Sequence, residues 1–220
     1  MKQLKNYADD RNSNICIYCH SGQLTKEHAP SKILLDEPFP PNLPVVASCL
    51  NCNNKYSSDE EYVACLIEVM RTNATNIDMI KRNKIKTAMN KNSKLSKLFF
   101  VEDKSHLLKI SAGKIKNIFV KLSKSHISFE LNELIYNDNY TIRYMILNTE
   151  DEKMKANNLN PEHLFPEVGS RLFQKIISNG GNSWQIVQDN QYRYSISYSC
   201  HLEVRIIVSE YFYSIFEWFN

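Results

Sequence analysis

The sequence predicts an α+β protein built from three consecutive parts. Residues 1–70 contain two Cys-x-x-Cys pairs, residues 71–105 are helix-prone and rich in lysine, and residues 106–220 contain short strand-like runs that predict an antiparallel sheet. The chain has 220 residues, which is enough for one ordinary domain or for a small module joined to a larger domain. We therefore expect a cysteine-rich module, a basic helical segment and an α+β accessory region, in that order.

Charge is distributed unevenly along the chain. The formal net charge is +3, but residues 1–70 carry −3, residues 71–126 carry +11 and residues 127–220 carry −5. A basic middle between two acidic ends is typical of a protein that meets a polyanion through one local stripe.

The composition excludes several classes of protein. Hydrophobic residues make up 43% of the chain, with 12 Tyr and 10 Phe, which is typical of a globular protein rather than a disordered one. No apolar run approaches the roughly 18–20 residues of a membrane span. The N-terminal stretch "MKQLKNYADDRNSN" has no apolar core of a secretory signal. We expect a soluble, cytoplasmic protein with reduced thiols and no membrane partner.

The first part predicts loops and short strands followed by a helix. Four prolines exclude a helix through "DEPFPPNLP", and "VVAS" at 45–48 is β-prone. In "SSDEEYVACLIEVMRTN", Ser58 and Glu61 form a capping-box pattern, which predicts that a helix begins after Ser58. Residues 76–100 are then expected to be helical and basic.

The third part predicts mainly strands. One helix is expected over 161–180, closed by Gly180. The predicted strands are "HLLKIS", "KNIFVKLS", "HISFEL", "YTIRYMILN", "SWQIVQ", "YRYSISYS" and "LEVRIIV".

The stretch "CIYCH" at residues 16–20 fits three chemistries. It can attach a c-type haem, act as a redox dithiol, or form half of a four-cysteine zinc site. A cytoplasmic location disfavours haem attachment, and no thioredoxin-like βαβ pattern flanks the motif. A second pair follows at Cys49 and Cys52, so Cys16, Cys19, Cys49 and Cys52 predict one structural Zn²⁺. The 29 residues between Cys19 and Cys49 exceed the spacing of a plain zinc ribbon.

The insert between the cysteine pairs contains "TKEHAPSK" and "PPNLPVV", and "CNNK" ends the motif. With these residues the chain resembles the HNH (ββα-metal) endonuclease family, in its form stapled by a four-cysteine zinc, over about residues 14–64. The chain departs from the family pattern at three points. Pro30 follows His28 at +2, the segment from Asn42 to Cys49 is longer than in many members, and Asn53 stands where the family often has His.

The resemblance implies a catalytic site. His28 would be the general base, and its ordinary pKa near 6.5 suits proton removal at neutral pH. Glu27 and Asn53 would hold one catalytic Mg²⁺ or Mn²⁺ through oxygen ligands, with Asn54 as the alternative to Asn53. Asn42 would orient His28. Each of these residues by itself would be interpreted as an ordinary polar residue of a solvated turn or of a helix end. Only their order around the four cysteines indicates catalysis.

The basic segment is the predicted nucleic-acid-binding face, although a merely solvated face is the alternative. Lysines suit phosphate contacts better than base recognition. The predicted contact residues are Lys81, Arg82, Lys84, Lys86, Lys91, Lys94 and Lys97.

The C-terminal stretch "EYFYSIFEWF" would be apolar on both faces of a strand, or on nearly all sides of a helix. Such a segment must be covered, so we expect it to mediate self-association or docking to a protein partner. The alternative is that it belongs to the core of the chain itself.

These expectations combine into one functional hypothesis and a rival. The resemblance implies a metal-dependent HNH endonuclease that cuts nucleic acid; we favour DNA as the substrate, and RNA is the alternative. In bacteria, such enzymes serve restriction and anti-phage defence. The rival is a catalytically inactive, zinc-stabilised module that binds nucleic acid or protein.

Overall fold

The computed structural model has an α+β fold, with an N-terminal hairpin, central helices and a C-terminal antiparallel sheet, as predicted. The structure describes residues 12, 14–22, 25–100, 110–158, 166, 168–198 and 201–219.

The N-terminal part is a β-hairpin followed by a long helix. Strand β1 (Thr25–His28) pairs antiparallel with β2 (Val45–Ser48), and helix α1 (Leu50–Thr72) follows directly. The prediction of a helix start at Ser58 is wrong, because Ser58 lies inside α1. Cys49 is the N-cap, and its sulfur accepts a hydrogen bond from the backbone N–H of Cys52 at 3.3 Å, so the helix begins nine residues earlier.

The central segment is helical, as predicted, but divided. Helices α2 (Asn83–Lys91) and α3 (Ser93–Phe99) are separated by Asn92, whose side chain caps α3 by accepting from the backbone N–H of Leu95. The lysines predicted to lie on one continuous helix therefore lie on two short ones and on the residues before them.

Helix α4 (Ala112–Leu131) replaces two predicted strands, "KNIFVKLS" and "HISFEL". Its residues Ile115, Ile118, Phe119 and Leu122 are fully buried and follow a helical period. The β-branched and aromatic residues favoured the strand prediction, but packing between α1 and the sheet decides the conformation. Most of "HLLKIS" lies outside the described residues.

The C-terminal sheet has the order β3-β7-β6-β5-β4, and every neighbouring pair is antiparallel. Among the described residues between β3 and β4 there are two short helices, and the second, α6, accounts for part of the helix predicted over 161–180. Residues 161–165 lie outside the described part. The remaining elements are β3 (Tyr140–Ile146), α5 (Glu150–Asn158), α6 (Arg171–Ser178), β4 (Gln185–Gln188), β5 (Tyr192–Tyr198), β6 (Leu202–Val208) and β7 (Phe212–Trp218).

One hydrophobic core joins these elements. It contains Leu66 of α1, Ile85 of α2, Ile118 of α4 and Val204 of β6 in one cluster of buried residues. All three predicted parts thus contribute to the same core, and the domain boundaries at 70 and 105 stay a prediction.

The apolar C-terminal stretch forms β7, between β3 and β6 in the sheet. Phe212 and Phe216 belong to the main core on one face, and Tyr213 packs with Leu147 and Ile207 on the other. The chain therefore covers this strand itself, and the burial requires no second chain. None of the described helices has the length and apolarity needed to cross a membrane.

Candidate metal centre and active site

Two cysteine pairs converge where the hairpin meets α1. The sulfur atoms of Cys16, Cys19, Cys49 and Cys52 all lie within 4.8 Å of one another. The Sγ atoms of Cys19 and Cys49 are 3.6 Å apart, close to the ~3.8 Å that a tetrahedron with 2.3 Å Zn–S bonds requires. The predicted cluster is confirmed, and its donor set and spacing fit a structural Zn²⁺.

A tight turn presents the first cysteine pair. The backbone N–H of His20 donates to the carbonyl of Cys16, and the N–H of Cys16 donates to the carbonyl of Ser21, both at 2.8 Å. The backbone N–H of Ile17 donates to the carbonyl of Ala47 on β2 at 3.1 Å. These bonds fix the turn to the hairpin, so both cysteine pairs belong to one unit.

The thiols themselves favour a bound cation. Hydrogen bonding with Ser21 lowers the pKa of Cys19 to about 6, which favours the thiolate that binds metals. Burial and the neighbouring sulfurs raise the pKa of Cys52. Four crowded thiols cannot all ionise without a compensating positive charge, which a bound Zn²⁺ would supply.

Glu27 and His28 end strand β1 and differ sharply in exposure. Glu27, opposite Val46, has 6% of its surface exposed, whereas His28, opposite Val45, is only half-buried. Successive side chains of a strand project from opposite faces, so Glu27 faces the protein interior and His28 faces the other side of the hairpin.

Glu27 forms a buried ion pair that the sequence did not predict. The Nζ atom of Lys121, on α4, lies 2.9 Å from Oε1 of Glu27 and also contacts Glu60 of α1. The Lys121 side chain is 1% exposed, and its ammonium lies 5.5 Å from the ring centroid of Tyr56. The hydroxyl of Ser31 donates to the same Glu60 oxygen. The signal in the sequence is a lysine at a position of α4 that is otherwise apolar. It indicates a buried ion pair only once this segment is known to be a helix, and the sequence predicted strands there.

The second carboxylate oxygen of Glu27 is uncommitted. Oε2 is buried and has no hydrogen-bond partner among the described residues. Burial raises the pKa of the Glu27 carboxyl, and the charge of Lys121 opposes that shift. An unpaired carboxylate oxygen in a dry position fits a ligand for a hard cation.

Asn53 lies on the same side of the hairpin as Glu27. Its Nδ2 atom donates to Oγ1 of Thr25 at 3.4 Å, and Thr25 shares a face of β1 with Glu27. The amide nitrogen makes this bond, so the carboxamide oxygen of Asn53 is not used in it. Asn54 is exposed on the outer side of α1. The oxygen donors of Glu27 and Asn53 thus fit Mg²⁺ or Mn²⁺ by type.

His28 is kept neutral by its surroundings. Burial, and secondarily the positive charge of Lys32, lower the pKa of the imidazole. Asn42 is exposed on the turn before β2, and within the described part of the chain no hydrogen bond joins it to His28.

The predicted basic residues divide into exposed and internally bonded groups. Arg82 is buried, and its Nε donates to Asp36 at 2.6 Å while its Nη2 donates to two backbone carbonyls. Lys86 pairs with Asp78 at 3.2 Å, and Lys84 donates to the carbonyl of Lys32 at 2.8 Å. The fully exposed members are Lys81, Lys91, Lys94 and Lys97.

A second group of ligand-type side chains lies on the sheet. Atoms of His201, Glu203 and Glu217 lie within 4.8 Å of one another. Arg143 contacts Glu217 at 3.0 Å, and Arg205 contacts Glu203 at 2.5 Å. Both carboxylates are therefore already neutralised by arginine, which disfavours a cation there.

Comparisons with models of known families, with curated proteins and with solved structures find no match to this chain.

Proposed function

We propose that this protein is a metal-dependent endonuclease of the HNH type, which hydrolyses phosphodiester bonds in nucleic acid, and in DNA rather than RNA. One observation carries the proposal: the sequence pair Glu27-His28 ends the first strand of a hairpin, and Asn53 lies in the first turn of the helix that follows. The four-cysteine cluster fixes this hairpin to this helix.

His28 acts as the general base. Its lowered pKa keeps the imidazole neutral at pH 7, so a ring nitrogen can take the proton of the attacking water. The water oxygen bonds to phosphorus, and the bond from phosphorus to the 3′ oxygen breaks. Asn42, as the resemblance implies, is a positioning residue for His28.

Glu27 and Asn53 hold the divalent cation. Mg²⁺ or Mn²⁺, when bound there, would neutralise charge on the phosphate and on the leaving oxygen. The buried Oε2 atom of Glu27 and the carboxamide of Asn53 support this assignment.

The exposed lysines of the central segment hold the nucleic acid. Four of them, Lys81, Lys91, Lys94 and Lys97, project from α2, α3 and the residues before α2. Each phosphate that a lysine neutralises releases a counterion, which gives affinity without base recognition.

One observation favours the rival, an inactive binding module, in addition to the opposite directions in which Glu27 and His28 project from β1. The ammonium of Lys121 already compensates the charge of Glu27 and of Glu60, as a metal ion would. If the ion pair with Lys121 prevents Glu27 from binding a metal, the hairpin is a zinc-stabilised scaffold without catalytic activity. The basic residues would then bind nucleic acid or protein, and this binding would be the function.

Cleavage assays separate the two functions. Zinc-loaded protein is incubated with supercoiled plasmid, linear DNA and RNA, in Mg²⁺, Mn²⁺ or EDTA. We expect cutting of DNA that requires the added divalent ion. His28→Ala should abolish cutting and leave DNA binding intact, whereas Glu27→Ala and Asn53→Ala should raise the metal concentration required.

His201→Ala is the matched control, since it removes a histidine on the sheet far along the chain. Equal cutting by the parent and His28→Ala would refute the assignment of the base. A requirement for Asn54 but not Asn53 would move only the metal ligand by one position. DNA binding without any metal-dependent cutting would establish the binding module instead.

A further inference from the structure

Two lysines converge on one aromatic ring just beyond the proposed general base. The Nζ atoms of Lys84 and Lys32 lie 4.5 Å and 5.5 Å from the ring centroid of Phe39. Lys84 comes from α2 and Lys32 from the 3₁₀ turn Lys32–Leu34, so the two are 52 residues apart in sequence. Cation–π attraction places both ammonium groups near this ring, and the bond from Lys84 to the backbone carbonyl of Lys32 at 2.8 Å ties α2 to the 3₁₀ turn.

These two cations form no direct ion pair. In the described part of the chain, neither Lys32 nor Lys84 forms a salt bridge, although the carboxylates of Glu37 and Asp36 act on Lys84 from a longer distance. Asp36 is itself bound by Arg82 and by the side chain of Gln191, both at 2.6 Å. Two like charges beside one ring, without a directly bound carboxylate, favour a bound anion.

The pair is built into a rigid part of the fold. Arg82, two residues before Lys84, donates to the carbonyls of Ile33 and Leu35 and so ties the 3₁₀ turn to the start of α2. Gln188 of β4 donates to the carbonyl of Asp36 at 2.9 Å and accepts from the Asp36 N–H at 2.8 Å. The long insert between the cysteine pairs is therefore anchored directly after Lys32.

One lysine of the pair closely follows the proposed base in the chain. His28 is the last residue of β1, and Lys32, four residues later, is the first residue of the 3₁₀ turn Lys32–Leu34. A phosphate held by Lys32 would therefore lie at the end of the strand that presents His28.

We propose that Lys32 and Lys84, held over Phe39, form a backbone-phosphate subsite beside His28, and that the ligand is a phosphodiester group of a nucleic-acid strand. This inference rests on the proposed function, because it names how the substrate is seated in that site. An ammonium group is a point charge and lacks the planar pair of donors with which arginine recognises a base edge. The subsite would therefore bind nucleic acid of any sequence. The exposed lysines of α2 and α3 would then extend a path that begins here.

Binding measurements in a His28→Ala background test the subsite apart from catalysis. A fluorescent 30-base-pair duplex is titrated in EDTA across a range of salt concentrations, and the slope of log affinity against log salt is measured. Lys32→Gln with Lys84→Gln should reduce the steepness of that slope by ~1.8, the value for two lost phosphate contacts on duplex DNA. Lys32→Arg with Lys84→Arg should retain the parent slope.

The matched control is Lys153→Gln with Lys155→Gln on α5, which removes the same charge outside the basic segment. We expect a slope change less than half as large. Equal changes in the two glutamine pairs would show a diffuse charge effect and overturn the subsite. A parent that binds no duplex, or that binds inorganic phosphate alone through these lysines, would overturn the nucleic-acid ligand. Absence of metal-dependent cutting by the unmodified protein would refute the nuclease and leave the slope comparison valid.

Discussion

Replacing Lys121 by methionine tests the internal contact between the hairpin and α4. The ammonium is 1% exposed, lies 2.9 Å from Glu27 and contacts Glu60, whose side chains are 7% and 13% exposed. Methionine has nearly the same volume and no charge, so the change removes the cation and leaves two buried carboxylates facing each other.

The expected loss of stability is large. At 2.9 Å and an effective dielectric of 20, the attraction between Lys121 and Glu27 is on the order of 6 kcal/mol, which desolvation of both charges partly offsets. Removing one partner of a buried pair costs about 3–5 kcal/mol, because the other charge stays buried without compensation. We expect the free energy of unfolding to fall by that amount in Lys121→Met.

Urea unfolding of the zinc-loaded protein, followed by circular dichroism, measures the change. With a slope of ~2 kcal/mol/M, the midpoint should move down by ~1.5–2.5 M. Lys114→Met is the control, because Lys114 also joins α4 to α1, through Asp59 at 2.6 Å, but is 37% exposed. Such a pair contributes about 1 kcal/mol or less.

The combination with Glu27→Gln identifies the source of the loss. Removing both charges should restore at least ~2 kcal/mol relative to Lys121→Met, since the uncompensated carboxylate is gone. If Lys121→Met and Lys114→Met destabilise the protein equally, the ammonium is not enclosed between the carboxylates, and the observation that favours the binding-module function disappears.

Two further predictions concern zinc and acid stability. Cys52→Ser should reduce bound zinc from one equivalent to below ~0.2 and unfold the hairpin, because structural zinc contributes on the order of 10 kcal/mol to such a site. Elemental analysis measures the bound zinc. The control is Cys65→Ala, which should retain the metal. His126 is fully buried with Nε2 2.8 Å from the Tyr192 hydroxyl, and burial lowers the pKa of its imidazole to about 3. The unfolded chain therefore takes up a proton below pH ~6.5 that the folded chain does not, so the protein should be about 1.4 kcal/mol less stable at pH 5.5 than at pH 7.5 from this group alone. Urea unfolding of His126→Gln should lack this part of the pH dependence, and parallel profiles for parent and variant would contradict it.

Local sequence signals predicted the features that depend on near neighbours. The spacing of the two cysteine pairs predicted the four-sulfur cluster, because a tetrahedral metal constrains only its own ligands and the turns that present them. Strict alternation of apolar and polar residues predicted β5, with Tyr192, Tyr194 and Ile196 buried on one face. The order of Glu27, His28 and Asn53 around that cluster carries the nuclease hypothesis, which stays a prediction.

Only the tertiary structure decided the features that depend on distant partners. A run such as "KNIFVKLS" satisfies both strand and helix propensities, and it became helical because α1 and the sheet bury its helical face. Lys121 meets Glu27 across 94 residues of sequence, a contact that no local pattern encodes. Strand β7 can be apolar on both faces because it lies between β3 and β6 and because residues of other elements pack on both faces of the sheet. Burial is a property of the packed chain, so the sequence alone shows that an apolar or charged group needs a partner, and the fold determines which partner it finds.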